Sequence, residues 1–372
     1  MKIGIITFWD SEDNYGQLLQ CFASQYYLQS IGHDAFLIRY KHEIIVQREH
    51  SFLCVLKKIL NPSYCKAKLL LEIKQIRRRI INTWILNHNV ERGFEEFRNK
   101  YIKSTDKILS ADDLRENPPS CDILMCGSDQ IWVYVPIDPI YFLQFGRKNQ
   151  KRIALSASFG RKDFPLESQF ELKEYLSSLD YVTVRERSGI DICKKIGGIN
   201  AKLICDPTLL NTVNVYDKIA ERINLNDNIF VYFLGHQSAV CLKKIVRLLK
   251  NRKTKICTSQ GEVSTYPKIF PSIPQWLGYI RESAFVITNS FHGVVFCLLY
   301  NKQFAVIPLA KSGANDRIDT LLNELELSSR ICFSIHQIKE TMTCKIDYGI
   351  VNPKLDIIRQ NGQILLSEML KE

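Results

Sequence analysis

Apolar residues along this chain fall in short runs, and the spacing inside the runs switches repeatedly between two periods. Residues 2–8 are apolar almost throughout, the mark of a strand covered on both faces. A polar loop at 10–15 follows. In residues 16–30 the positions Leu18, Leu19, Phe22, Ala23, Tyr26 and Tyr27 recur at helical spacing, which predicts a helix with one buried face, and Gly32 ends it. Residues 35–40 read as a second strand, and a strand, helix, strand unit of this kind builds a parallel sheet. The alternation resumes with strands at 123–126, 152–157, 181–185 and 201–205 and helices at 166–178 and 190–196. After a polar stretch at 211–228 it begins again, with strands at 229–234, 254–258, 285–288 and 304–307. The helices of this second block are read at 239–249, 273–281, 294–300 and 318–325. An amphipathic helix at 353–370 closes the chain.

Two such blocks predict an α/β protein of two Rossmann-like domains, residues 1–210 and 211–352, with 353–372 packing back on the first. The length of 372 residues agrees, since it exceeds what one core usually organises. Residues 41–101 interrupt the first block with long, basic, helix-rich sequence in which Lys57, Lys58, Lys66, Lys68, Lys74, Arg77, Arg78 and Arg79 are interleaved with leucines and isoleucines. The plain reading is an inserted helical pair with a solvated basic face. The sharper one is a surface for anionic lipid headgroups, where each basic residue contributes about 1 kcal/mol.

Composition narrows the classes. Hydrophobic residues make up 46% and charged residues 24%, globular proportions that exclude general disorder and fibrous architectures. No apolar run is long enough to cross a bilayer, and the apolar start at residues 3–9 runs into Asp10, Glu12 and Asp13 instead of a cleavage site. The expected location is the cytoplasm, with peripheral contact at the inner face of the plasma membrane under the sharper reading of the basic segment. Twelve scattered cysteines without paired spacing predict buried free thiols and no metal. The net charge of +11 allows an anionic partner, but no helix-turn-helix, zinc-finger or RNA-recognition pattern favours nucleic acid.

Five polar clusters sit at strand-to-helix turns, where ligands of open α/β sheets gather. Asn14-Tyr15-Gly16 offers a helix cap and a glycine that lets backbone approach a ligand, or it is simply a good helix start. Ser128-Asp129-Gln130-Ile131-Trp132 offers a carboxylate, an amide and an indole suited to a sugar's hydroxyls and apolar face, or a capped turn with Trp132 buried. Arg185-Glu186-Arg187-Ser188-Gly189 brings arginines that hold carboxylate or phosphate, unless Glu186 pairs with them internally. Ser290-Phe291-His292-Gly293 places a histidine at a helix N-terminus, suited to proton transfer beside an anion. Asn315-Asp316-Arg317 adds an arginine from the second domain, or an ion pair of Arg317 with Asp316 or Asp319.

The first four of these motifs, together with Asp206-Pro207-Thr208-Leu209-Leu210, resemble in kind and in order those of the polysaccharide pyruvyl transferase family, over nearly the whole chain outside the basic segment. The resemblance implies a fold like that of GT-B glycosyltransferases, with phosphoenolpyruvate held between the lobes as co-substrate and no cofactor or metal. It implies transfer of a pyruvyl group onto a sugar or lipid-linked oligosaccharide of a surface or capsular polysaccharide precursor, closing a cyclic ketal. It casts His292 as the acid and Arg185 as a donor-holding residue, with Ser290, Gly293 and Asn315 beside them. Better characterised members carry Arg-Leu-His where this chain has Ser290-Phe291-His292, and Arg317 is read as the substitute arginine. Asp129 is read as the base, and Asn14, Tyr15, Gly16, Ser128, Gln130 and Trp132 as the acceptor side. Two other functions fit a two-lobed fold: a nucleotide-sugar glycosyltransferase, and a non-catalytic binder of glycan or membrane surface.

Overall fold

The computed structural model describes residues 1–42, 91–225, 227–235, 237–259, 267–310 and 313–371. Among the described residues, ten strands form two wholly parallel sheets. The first has the order β2-β1-β3-β4-β5-β6 and consists of β1 (Lys2–Ile6), β2 (Asp34–Leu37), β3 (Ile123–Gly127), β4 (Lys151–Ala157), β5 (Tyr181–Val184) and β6 (Lys202–Leu203). The second has the order β10-β9-β7-β8, from β7 (Ile229–Phe233), β8 (Thr254–Thr258), β9 (Phe285–Thr288) and β10 (Phe304–Val306). β1, β3, β7 and β9 are buried along nearly their whole length, which is why they read as continuous apolar runs. The expected α/β class with two parallel-sheet lobes is what the chain forms.

Eight helices matter to the site: α1 (Tyr15–Ser30), α2 (Phe94–Tyr101), α3 (Arg187–Ile192), α4 (Pro207–Leu210), α5 (Ile273–Glu282), α6 (Phe291–Leu299), α7 (Asp316–Glu324) and α8 (Tyr348–Leu370). α4 lies just before the stretch read as polar linker, and a further helix, Val213–Asp217, lies within it. α8 begins at Tyr348, ahead of Pro353, because Asp347 caps it, accepting the Gly349 N–H at 2.8 Å, and Pro353 is carried inside the helix. Its far end buries Leu366, Met369 and Leu370 among Ile3, Ile5, Leu28 and Ile123 of the first lobe. Residues 43–90, which hold most of the predicted basic helices, lie outside the described residues. No described helix is long and apolar enough to cross a membrane.

One apolar cluster runs across the junction of the lobes. Tyr15, Leu18, Leu19 and Phe22 of α1 and Phe94 and Phe97 of α2 meet Trp276 and Leu277 of α5 and Val295 and Phe296 of α6. The Tyr15 ring stacks on Trp276 at 5.2 Å, nearly parallel, and its hydroxyl donates to Pro271 O at 2.7 Å.

Candidate functional site

In each sheet the strand order reverses next to a central strand, and the crevice at such a reversal is where ligands of open α/β sheets collect. In the first sheet it lies between β1 and β3, flanked by the loops that precede α1 and follow β3. In the second it lies between β7 and β9. There Asn289 ties the two strand ends together, accepting from Leu234 N at 2.7 Å and donating to Leu234 O at 2.9 Å. Ser290 caps α6, its Oγ accepting the Gly293 N–H at 3.3 Å. Gly293 is required there, since a Cβ would stand 2.5 Å from Thr288 Oγ1. The same first turn of α6 aims His292 at the first lobe, against Gly16 of α1, where a Cβ would lie 2.1 Å from His292 Nδ1.

Across the junction a largely buried charged cluster forms. The Arg185 side chain is 1% exposed, and its Nη1 donates to Asp206 Oδ2 at 2.8 Å while Nη2 donates to Asp129 Oδ1 at 3.0 Å. Ser128 Oγ donates to the same Asp206 oxygen at 2.8 Å, and Thr208 Oγ1 to the other at 2.6 Å. His292 Nε2 stands 3.4 Å from Asp206 Oδ2, an ion-pair distance without hydrogen-bond alignment, so this nitrogen is buried with no hydrogen-bond partner. Arg185 Nε and Glu186 Oε2 are buried orphans as well. From the second lobe Arg317 Nη1 approaches Asp129 Oδ1 at 3.9 Å. The guanidiniums of Arg185 and Arg317 lie 5.0 and 5.5 Å from the centre of the Phe291 ring. Asp316 holds the two halves in register by accepting the Ser188 N–H at 2.9 Å. A cavity of about 160 Å³ opens on this cluster, lined by Arg185, Asp206, Phe291, Thr320 and Glu324 among others.

Burial alone would raise the Asp206 carboxyl, but the charge and proximity of His292, followed by Arg185 and the Thr208 hydroxyl, hold it well below the usual carboxylate range. Asp129 is likewise pushed up by burial and pulled further down by Arg185, His292 and Arg317. Glu186 goes the other way, raised by burial more than its arginine neighbours lower it. Burial, then the nearby Arg185 charge, brings Arg317 down to about 10. Two guanidiniums and an imidazole thus face three carboxylates in a largely buried pocket, an arrangement that can exchange partners with an incoming anion and transfer a proton.

The model of the family described as polysaccharide pyruvyl transferase matches residues 14–310. The chain belongs to the polysaccharide pyruvyl transferase family. No curated protein matches it. Among solved structures it is similar to a UDP-GlcNAc 2-epimerase from Neisseria meningitidis, with 10% identity, 100% of both chains covered and a TM-score of 0.47. It is also similar to a UDP-GlcNAc 2-epimerase from Methanocaldococcus jannaschii, with 10% identity, 99% of this chain and 100% of that one covered and a TM-score of 0.46. A spinosyn rhamnosyltransferase is similar at 9% identity, over 99% and 95% of the two chains, with a TM-score of 0.41.

The residues expected to carry chemistry in a polysaccharide pyruvyl transferase divide into three groups. His292, Arg185, Arg317, Asp129 and Ser128 come together in the cluster just described. Ser290, Gly293 and Asn315 surround it but are spent on the backbone; Asn315 accepts from Leu309 N and donates to Leu309 O, both at 2.9 Å. The residues read as the acceptor side are placed as follows. Trp132 is 1% exposed, donates its indole N–H to Tyr141 O at 3.0 Å and stacks on Phe142, so no ring face is open to a sugar. Tyr15 is consumed by the apolar junction. The close approach that Gly16 permits is to His292, and Asn14 occupies the cap position without a side-chain capping bond, its Oδ1 buried without a partner. Gln130 packs against Gly160, where a Cβ would stand 2.0 Å from its Nε2. Asp129, read as the base, is held by Arg185 and has a lowered proton affinity, which suits anchoring the arginines better than taking a proton. Sequence reasoning missed Asp206 as a site residue, although its position just after a strand and before a proline marked it.

Proposed function

We propose that this chain transfers a pyruvyl group from phosphoenolpyruvate to two hydroxyls of a sugar, with no cofactor or metal and His292 as the acid. The observation that carries the reading is the buried Nε2 of His292, 3.4 Å from Asp206 Oδ2 without a hydrogen bond, in a cluster where Arg185 and Arg317 both lie over the neighbouring Phe291 ring. A buried polar atom without a hydrogen bond calls for one, and a donor bound against the two arginines would supply it. In this reading His292 gives a proton to the methylene carbon of phosphoenolpyruvate, which becomes a methyl group, and positive charge develops on the adjacent carbon. A sugar hydroxyl oxygen bonds to that carbon. A second hydroxyl then displaces phosphate and closes the ketal. The two hydroxyl protons balance the one delivered to carbon and the one leaving on phosphate. Arg185 and Arg317 would stabilise the departing phosphate. The acceptor would be a precursor of a surface or capsular polysaccharide.

The test is phosphate release from phosphoenolpyruvate by the purified chain with a panel of galactose- and mannosamine-type acceptors, set against His292→Ala. Release that depends on the acceptor and disappears in the variant is the expected result. If no acceptor gives release and phosphoenolpyruvate does not protect the chain against heat, the reading fails.

A further inference from the structure

The loop after β3 continues from Asp129 past Trp132 into the wall of a second cavity, of about 510 Å³, lined by Tyr40, His42, Arg115, Tyr134, Pro136 and Asp138 among others. Its volume is within the roughly 300–1,000 Å³ typical of small-ligand sites. Asp138, 6% exposed, is the organising residue. Its Oδ1 accepts the Ile140 N–H at 2.9 Å, and its Oδ2 accepts the Tyr40 hydroxyl at 2.7 Å and pairs with His42 Nδ1. Fixing Nδ1 on a carboxylate sets the orientation of the imidazole and leaves Nε2 on the ring's far edge. The imidazole stacks on Tyr134 at 3.9 Å, and Tyr134 in turn packs edge-on against Phe8 at 5.7 Å. Val135, at the rim, is 40% exposed.

This lining is aromatic with both donors and acceptors at its edges, and Arg115 is balanced by its ion pair with Asp112 at 3.0 Å. A multiply charged anion finds no net field here. A neutral polyhydroxylated ring does find complementary groups, its C–H face meeting aromatic surface and its hydroxyls meeting imidazole, carboxylate and guanidinium. We propose that this pocket seats a pyranose ring of the acceptor, so that Tyr134 and His42, in place of Trp132, select the sugar. The loop after β3 links the two places, carrying Asp129 of the charged cluster and Tyr134 of this pocket. The inference rests on reading the chain as a transferase that acts on a sugar.

The test is a binding measurement that needs no donor. Saturation-transfer NMR would be recorded with methyl β-D-galactopyranoside, methyl α-D-glucopyranoside and N-acetylmannosamine, with open-chain sorbitol as the control. At least one pyranoside is expected to receive more saturation than sorbitol, and to bind about three- to tenfold more weakly to Tyr134→Ala and His42→Ala, the worth of a lost aromatic contact. The rim variant Val135→Glu, at an exposed position, should weaken binding equally and keeps the test sound if Tyr134→Ala unfolds. Equal binding by the folded variants overturns the proposal, as does a signal no greater than sorbitol for all three pyranosides. Retained pyranoside binding without heat protection by phosphoenolpyruvate leaves the pocket standing and removes the donor reading instead.

Discussion

Gly16→Ala sets a general rule against a local fact. Alanine is the better helix former, so in the first turn of α1 the change should stabilise by about 0.5–1 kcal/mol. At this position, however, the new methyl would lie 2.1 Å from Nδ1, 2.3 Å from Cγ and 2.6 Å from Cβ of His292. Non-bonded heavy atoms settle at about 3.5–4.0 Å, so ring and helix must separate by more than about 1 Å. Overpacking of this kind costs about 1–3 kcal/mol, which leaves a net loss of about 1 kcal/mol after the helix gain. Activity should suffer far more, because displacing a reacting group by about 1 Å lowers turnover on the order of a hundredfold. The assay is the rate of acceptor-dependent phosphate release beside the urea unfolding midpoint. In a His292→Ala background only the 2.6 Å contact remains, so the stability cost of Gly16→Ala should shrink there. Unchanged turnover in the single variant would refute both the contact and the role given to His292.

Three further outcomes follow from the same geometry. Asp206→Asn leaves Arg185 with one buried carboxylate fewer and should cost about 3 kcal/mol in urea unfolding at neutral pH. Because the folded-state carboxyl binds protons less readily than the unfolded one, its stabilisation is complete above about pH 5 and declines as the pH falls, so the variant should show a flatter stability profile in acid. Trp132→Phe should lower stability by about 1–3 kcal/mol through the lost bond to Tyr141 O while leaving the acceptor KM unchanged; a raised KM would restore Trp132 to the acceptor site. Arg317→Lys keeps the charge but not the planar donor pair, and should abolish heat protection by phosphoenolpyruvate without unfolding the chain, as read by scanning fluorimetry.

Much of the scaffold was legible because parallel strands buried on both faces appear in sequence as uninterrupted apolar runs. β8 and β9 begin and end where the pattern places them, and the strand-to-helix turns that carry the site follow from the alternation. Burial within a polar motif was not legible. Trp132 and Tyr15 sit among Asp, Asn, Gln and Gly, and only the fold shows that one ring is sealed under Phe142 and the other spans the lobes. Gly16 illustrates the same limit, since its small size serves a histidine far away in the chain. Asp206 was visible as a motif, but its role depends on long-range pairing with Arg185 and His292, which sequence spacing does not encode.

The apolar junction explains how so many charges can be held close together. Burying Arg185, Asp129, Asp206 and Glu186 is costly unless each group stays within reach of its partners, and a loose interface would let the pairs drift. Domain interfaces of the usual kind are modest and polar, and they permit rotation. Here the seam is built like a core: Tyr15 on Trp276, Trp276 against Phe296 at 5.5 Å, and Phe296 against Tyr216 at 4.9 Å, all fully buried. Packing of that density has few alternative arrangements, so the distance from His292 to Asp206 is set by side chains that take no part in proton transfer. An incoming phosphate would therefore compete for hydrogen bonds already made, displacing Asp129 from Arg185, instead of drawing two lobes together across an open cleft. On that account, variants that loosen the seam, such as Tyr15→Phe with its lost bond to Pro271 O, should weaken donor protection even though the phenol lies outside the charged cluster.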